Sequence, residues 1–424
     1  MLRVGLDITV LYHAVGGVYT YWRTLVQALQ ERVVCGQDDV SLTLIDYAPA
    51  HWGSSRRIDG LFGPAAPTHI IDGPAQPMLS RSPMAHLPLG RPLAERLDVR
   101  MGRAWGLCSQ WTARRRYGAA LRRLDVLHGL EVIQPSPGAA RQVATVFDVS
   151  PVRLPEHHTP ENIALFSRKM RHVCAHASQV IAISEHARGE LLESYPALAD
   201  RVVVVPLAAQ PGFGPVADPA TLAGIRRRYG IPTAGYLLYV GTLEPRKNLV
   251  RLIDAYAHVR AAGGDSVPPL VLAGPRGWRE GPIFDAVERW GVGRRVIFPG
   301  YVAGADLPAL YSGAALFVYP SLYEGFGLPV LESMACGAPV VTSSVSALPE
   351  VAGDAALLVD PTDTGALAAA IQRLLDDQGL RDRLRTLGLL RAARYTWRRT
   401  ADETLAVYRT AARPGGTSHN PPGL

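Results

Sequence analysis

The sequence contains no apolar stretch of the ~18–20 residues that a membrane span requires. Any contact with a bilayer is therefore expected to be peripheral. The N-terminus, MLRVGLDITV, carries one arginine and then a short apolar run. That run lacks the length of a signal peptide and reads as a first β-strand. Cysteine is scarce. Cys35, Cys108, Cys174 and Cys336 lie far apart, none at metal-ligand spacing, and four are too few for a disulfide framework in 424 residues. They are expected to be small buried filler in a reducing cytoplasm. No Gly-x-Gly-x-x-Gly follows the first strand, which argues against a dinucleotide oxidoreductase.

What is present is an ordinary globular composition, 48% apolar and 19% charged, with a formal net charge of +7. A chain of 424 residues is long enough for two sizeable domains. Short β-branched runs alternate with helical stretches, the pattern of parallel βαβ units. In the first half the runs are Val4–Thr9, Ser41–Asp46, Val126–His128, Val143–Phe147, Gln179–Ile183 and Arg201–Val205, with a helix around Tyr19–Leu29. In the second half they are Tyr236–Gly241, Leu270–Ala273, Val296–Phe298, Leu316–Val318, Val340–Thr342 and Ala356–Val359, with a helix over Asn248–Arg260. The Pro- and Gly-rich region near Pro206–Tyr236 is the best boundary. The expected fold class is α/β, two Rossmann-like doubly wound domains at 1–210 and 211–412, with a disordered tail at 413–424. Residues 49–90 hold seven prolines and read as one long loop. In doubly wound sheets ligands bind beyond the carboxyl ends of the strands.

One segment concentrates chemistry: Glu324-Gly325-Phe326-Gly327-Leu328-Pro329-Val-Leu-Glu332, followed by Ser-Met-Ala-Cys-Gly-Ala-Pro. It follows an apolar strand, and Pro329 marks a helix start. Glycines 325 and 327 suit a close approach of the backbone to a ligand, and the helix N-terminus suits an anion. Eight residues span a little over two helical turns, so both carboxylates can face one cleft. Carboxylates accept from paired hydroxyls, which a sugar and a ribose both present. Two surface glutamates flanking a tight turn are the plain alternative.

This segment is similar to the Glu-(seven residues)-Glu signature of retaining GT-B glycosyltransferases, glycosyltransferase family 4. The likeness extends over most of the chain and is densest from about Tyr236 to Asp360. Val240-Gly241-Thr242-Leu243-Glu244-Pro245-Arg246-Lys247-Asn248-Leu249 resembles the family's donor-phosphate loop. The resemblance implies a GT-B fold, two domains facing a central cleft, and transfer with retention of anomeric configuration. It implies that Glu324 contacts the donor sugar, Glu332 the nucleotide ribose and Lys247 the diphosphate. Arg246 fits the same anion, because fixed cations stabilise charge growing on a leaving diphosphate. Many family members place an arginine directly after the first glycine of this loop. Thr242 stands there instead, and Arg246 is expected to substitute. No Asp-x-Asp occurs, so the metal-binding signature of the other major glycosyltransferase fold is missing, and cationic side chains with helix dipoles are expected to take the metal's place. No cofactor is expected beyond the co-substrate, a nucleoside-diphosphate sugar. The LEPRKN loop resembles that of many mannosyl- and related transferases, which implies a GDP-sugar.

Further positions carry weaker signals. Gly16 and Gly17 resemble the family's glycine-rich loop, which approaches the donor phosphate, or form an ordinary strand-to-helix turn. Val302 lies where the family reads the base through main-chain groups. Asp148 matches the aspartate of the family's His-Asp pair, while Phe147 replaces the histidine. Phe147 either faces an apolar group such as the methyl of a 6-deoxy sugar or packs in the core. His128 and Glu131 follow a strand and either meet the acceptor or form a satisfied polar loop. Ser184 reads as a helix N-cap.

Residues 84–125 carry nine arginines against three acids, with Trp105 and Trp111 interleaved. They suit an anionic membrane surface and a lipid-phosphate acceptor, or form a solvated helix face. No nucleic-acid recognition motif accompanies them. The leading expectation is a hexosyltransferase acting on mannose or a 6-deoxyhexose. Its acceptor would be a glycan or polyprenyl-diphosphate-linked glycan in surface polysaccharide (lipopolysaccharide) synthesis. It would work in the cytoplasm, at the inner membrane face if the basic stretch engages lipid. A GT-B-fold sugar-nucleotide epimerase and a catalytically silent carbohydrate-binding relative are the alternatives.

Overall fold

The computed structural model describes residues 1–8, 17–34, 39–46, 69–72, 118–119, 121–130 and 140–413. Gly16, Glu131, the basic stretch up to residue 117, most of the proline-rich stretch and the tail beyond residue 413 lie outside them.

The described strands form two parallel sheets. The first has seven strands in the order β3-β2-β1-β4-β5-β6-β7. These are Leu2–Asp7 (β1), Val40–Asp46 (β2), His69–Asp72 (β3), Val126–Leu130 (β4), Arg141–Val146 (β5), Ala177–Ala182 (β6) and Val202–Val204 (β7). The second has six, in the order β10-β9-β8-β11-β12-β13. These are Leu237–Val240 (β8), Leu270–Ala273 (β9), Val296–Gly300 (β10), Leu316–Tyr319 (β11), Val340–Ser343 (β12) and Ala356–Val359 (β13). Both orders are those of a doubly wound α/β protein. The central strands read as continuous apolar runs because they are covered on both faces: every residue of β9, β11 and β12 is buried.

One strand corrects the sequence reading. Within the stretch expected to be a loop over 49–90, His69–Asp72 pairs in parallel with Thr43–Asp46 of β2. The segment His-Ile-Ile-Asp carries the β-branched residues a strand needs. The surrounding prolines obscure it.

Packing divides the chain into two compact units that draw on both halves of the sequence. One comprises Met1–Thr145, Arg168–Ile181 and Ala401–Leu424; the other comprises Val146–Ser167 and Ala182–Thr400. In the first unit, Trp22, Leu25 and Leu29 of the helix Gly17–Val34 are fully buried, as are Val4 and Leu6 of β1. In the second, the strand order reverses between β8 and β11, which pair directly through Leu237 with Leu316 and Leu238 with Phe317. The loops leaving β8 and β11 therefore start side by side at the sheet's switch point, where open α/β sheets hold ligands. Both motif segments are on those two loops. Among the described residues no helix is long and apolar enough to cross a membrane.

Candidate functional site

The loop after β8 is built to present two cations. Pro245–Lys247 form one 3-10 turn. Asn248 closes it in the left-handed conformation, φ 61°, which asparagine tolerates better than most residues. Its side-chain amide then donates to the carbonyls of Pro320 (3.0 Å) and Pro361 (2.7 Å). This ties the β8 loop to the loop after β11. The expected helix consequently begins at Leu249, not at Asn248.

Glu324 divides its two oxygens between those cations. Lys247 Nζ lies 2.6 Å from Oε1, and Arg246 Nη1 lies 3.2 Å from Oε2. Lys247 also donates to the Tyr319 hydroxyl at 2.9 Å. Arg246 donates to the Tyr323 carbonyl at 2.6 Å and pairs with Glu244 at 2.9 Å. Burial alone would push the Glu324 carboxyl up, but Lys247 and Arg246 overrule it and hold it down at about 2. Burial, then the Arg246 charge, lowers the Lys247 ammonium against the pull of Glu324 and Glu244. The Arg246 guanidinium moves upward despite burial, because Glu324, Glu244 and Asp148 surround it. Two cations and two carboxylates thus share one buried cluster, with Asp148 in electrostatic reach.

Glu332 sits in different surroundings. The helix Leu328–Ala335 begins behind Gly327, with Pro329 in its first turn as expected. Its residue Glu332 is buried, accepting from Tyr311 at 3.3 Å and from Gln210 at 3.4 Å. Burial outweighs both contacts and raises the carboxyl to about 7. The two glutamates therefore differ in charge state near neutrality. Glu324 is fixed as an anion, and Glu332 is poised to gain or lose a proton.

The glycines 325 and 327 both have close neighbours within the chain itself. A Cβ on Gly325 would stand 2.2 Å from the Phe147 carbonyl oxygen and 3.0 Å from Asp148 Cβ. The close approach made possible by this glycine is to the chain's own backbone. Gly327 has φ 101°, and a Cβ there would meet Leu348 Cδ2 at 2.6 Å. Its role is the turn into the helix. Ser184 adds a further tie: it caps the helix Glu185–Ser194 by accepting from Ala187 N (2.9 Å), as expected, while its hydroxyl donates to the Gly325 carbonyl (2.7 Å). The Tyr323 hydroxyl contacts Glu190 on that same helix.

The other expected residues fall as follows. Phe147 and Asp148 lie against Gly325. The Thr242 carbonyl accepts from the Tyr239 hydroxyl at 3.0 Å. Phe326 is buried edge-on to Tyr395, with ring centroids 5.8 Å apart. Leu328 opens the helix, and Val302 is buried just after β10. Gly17 is exposed at the start of its helix, in the other compact unit. His128 is also in that unit, and its expected place in an acceptor pocket does not fit. The ring is fully buried in β4. Both nitrogens are engaged, Nδ1 with the Tyr408 hydroxyl at 2.6 Å and Nε2 with Thr145 Oγ1 at 2.9 Å. Burial depresses it to about 3, so it stays neutral.

Residues 224–388 match the family described as Glycosyl transferases group 1. The chain is 37% identical over 269 residues to the O-antigen chain mannosyltransferase B of Escherichia coli, covering 63% of this chain and 70% of that protein. It belongs to the group 1 glycosyl transferases. A second relative, the serotype-specific mannosyltransferase WbdA of Escherichia coli, is 32% identical over 227 residues; the match spans 53% of this chain but only 28% of that longer protein. Among solved structures, the Anabaena HepE complex with UDP and glucose superposes with a TM-score of 0.68 at 16% identity, covering 97% of this chain and all of that one. The transferase thus has the GT-B fold, and its family match covers Lys247, Glu324 and Glu332.

Sequence reasoning passed over several residues of the cluster. Glu244 was inside the quoted loop, yet its pairing with Arg246 has no spacing signal. Tyr311 and Gln210 are remote from Glu332 in sequence. Ser150 and His158 lie beyond any motif: Ser150 meets Asp148 two residues away, and His158 in turn meets Ser150.

Proposed function

We propose that the transferase moves a hexosyl unit, mannose first and a 6-deoxyhexose second, from a GDP-sugar to a hydroxyl of a growing surface polysaccharide, with retention of anomeric configuration. The observation that carries this reading is the division of Glu324 between Lys247 and Arg246 at the switch point of the second sheet. A bound diphosphate brings negative charge to those cations and frees Glu324 to accept from sugar hydroxyls. As the glycosidic bond breaks, charge grows on the diphosphate, and Lys247 and Arg246 compensate it in a water-poor site. Glu332 accepts from the ribose hydroxyls. The mannosyltransferase names of the Escherichia coli relatives support the sugar; the base rests on the sequence of the β8 loop alone. In this reading residues 1–210 receive the acceptor and residues 211–412 hold the nucleotide sugar. The basic stretch 84–125 draws the enzyme to anionic lipid carrying a polyprenyl-diphosphate acceptor.

The test is transfer of labelled sugar from GDP-mannose, GDP-6-deoxyhexose and UDP-glucose to a mannose-terminated oligosaccharide. The anomeric configuration of the product is read by nuclear magnetic resonance. GDP-mannose is expected to give the highest rate and a product of unchanged configuration. Inversion, or transfer only from UDP-glucose, would overturn the assignment. Free epimerised sugar nucleotide without acceptor would replace it with epimerase chemistry.

A further inference from the structure

Asp148 does not stand alone beside the Glu324 loop. Its Oδ1 accepts from Ser150 N at 2.8 Å. The Ser150 hydroxyl lies 3.1 Å from His158 Nε2. Ser150 is itself buried, so one inaccessible residue braces both side chains, the carboxylate through its amide and the imidazole through its hydroxyl. Each braced group is half-buried and keeps one polar atom outside this bracing: Oδ2 of Asp148 and Nδ1 of His158.

The turn bearing His158 is pinned from a second direction. The Trp278 indole donates to the His157 carbonyl at 3.0 Å, and Arg279 donates to the Glu156 carbonyl at 2.9 Å. Arg279 adopts φ 54° to do so, a conformation that is costly for a residue with a side chain. The same loop packs on the cation-bearing segment, since Gly277 N donates to the Leu243 carbonyl at 3.1 Å. A Cβ on Gly277 would stand 2.6 Å from that carbonyl. The position of His158 is therefore over-determined, although it lies in a short connecting turn. Asp148, Arg246 and Glu244 are all within electrostatic reach of its ring, and with burial as the largest influence the ring is held below its ordinary value, neutral at neutral pH. Phe147, next to Asp148, has no hydrogen-bonding side chain to offer.

We propose that Asp148 and His158, braced by Ser150, form a two-point reader of neighbouring hydroxyls on the transferred sugar. A carboxylate oxygen accepts one hydroxyl proton. A neutral imidazole nitrogen either donates or accepts, which suits a hydroxyl better than a phosphate. This inference rests on the nucleotide-sugar reading above and assigns His158 as a substrate-contacting residue and Ser150 as a positioning residue.

The experiment compares wild type with H158A, H158Q, S150A and S150T. The probes are GDP alone, GDP-mannose, and GDP-mannose analogues each lacking one sugar hydroxyl. GDP is expected to raise the melting temperature of all five proteins equally. With GDP-mannose, H158A should lose about tenfold in kcat/KM, the scale of one hydrogen bond to substrate in a closed site. S150A should lose less, and H158Q and S150T should recover part of the loss. With one deoxy analogue, wild type and H158A should be equally slow, because the partner hydroxyl is already gone. Equal rates of wild type and H158A on GDP-mannose would overturn the proposal. So would a loss of GDP binding in H158A, which would place the histidine on the phosphates. A wild-type enzyme that neither binds GDP nor transfers mannose would remove the underlying functional reading instead.

Discussion

At the scale of single residues, the two glutamates make opposite commitments. Glu332 has its carboxyl raised to about 7 by burial. A group raised in the folded state contributes stability that is fully present below its unfolded value and is lost as pH rises through about 7. Ribose hydroxyls donating to it would favour the anion. GDP binding at pH 6.5 should then release protons, seen as a binding enthalpy that changes with the ionisation enthalpy of the buffer. Glu332→Gln should reduce that dependence to what the phosphate alone produces; an unchanged dependence would detach Glu332 from the ribose. Glu324 runs the other way, since its depressed carboxyl contributes stability above its unfolded value that is lost as pH falls toward about 2. Lys247→Ala removes one of its two cationic partners and leaves the Tyr319 hydroxyl, 3.0 Å from Oε1, as the remaining donor to that oxygen. With Arg246 still in place, the expected cost is about 2–3 kcal/mol in urea unfolding. Turnover should fall about a hundredfold, the scale of removing one preorganised donor. Full turnover in a folded Lys247→Ala enzyme would exclude the lysine from the chemistry.

At the scale of elements, the site is two adjacent loops held in register by backbone ties. Gly325 ties the second loop to the chain at Phe147 and Ser184. Its missing side chain leaves room for the Phe147 carbonyl, and its own carbonyl accepts from Ser184. Gly325→Ala must push the Tyr323–Gly325 loop away from the chain at Phe147–Asp148, and backbone cannot yield as a side chain can. A loss of both activity and several degrees of melting temperature is expected. Gly224→Ala is the control: it lies within the helix Pro219–Arg228, and a Cβ there meets nothing within 4 Å. It should leave stability unchanged or slightly raised, since alanine favours a helix over glycine, and leave kcat intact. Should the two variants behave alike, the contact at Phe147 has no special weight. The same loop shows what a sequence does and does not disclose. The two loops, their strands and the helix at Pro329 were legible because apolar runs end in Gly and Pro punctuation, and because both motif segments follow such runs. Gly325 signalled that something approaches closely, but a glycine is silent on whether the neighbour is substrate or the protein's own carbonyl. His158 was invisible for a related reason. Ser150 meets Asp148 two residues away, but the turn that brings His158 to Ser150 is clamped by Trp278 and Arg279, more than a hundred residues away.

At the scale of the whole molecule, the last helix joins the compact unit that contains the N-terminal strands, since Ala401–Leu424 group with Met1–Thr145. In this helix, Trp397–Ala412, Tyr408 is fully buried, and its hydroxyl lies 2.6 Å from His128 Nδ1. The chain continues through His128 Nε2 to Thr145 Oγ1 and on to the Tyr21 hydroxyl at 3.1 Å. Trp22 packs edge-on against the imidazole at 4.8 Å. A histidine set between apolar strand residues gave no hint of this, since its partner on the last helix is 280 residues distant. The consequence for stability has a definite sign. The folded ring is depressed to about 3, so it remains neutral while an unfolded histidine takes up a proton below its ordinary value near 6.5. Its contribution is therefore lost as pH falls below about 6.5, at up to about 1.4 kcal/mol per pH unit. Urea unfolding between pH 7 and pH 5 should show this acid slope in the unit containing Tyr408. His128→Gln, which keeps hydrogen-bonding groups but cannot take up that proton, should flatten it. Tyr408→Phe leaves a buried ring nitrogen without its partner, and should lower stability by about 1–3 kcal/mol without abolishing GDP binding. An acid slope that persists in His128→Gln would mean that other groups dominate the titration and that the C-terminal helix is held by packing alone.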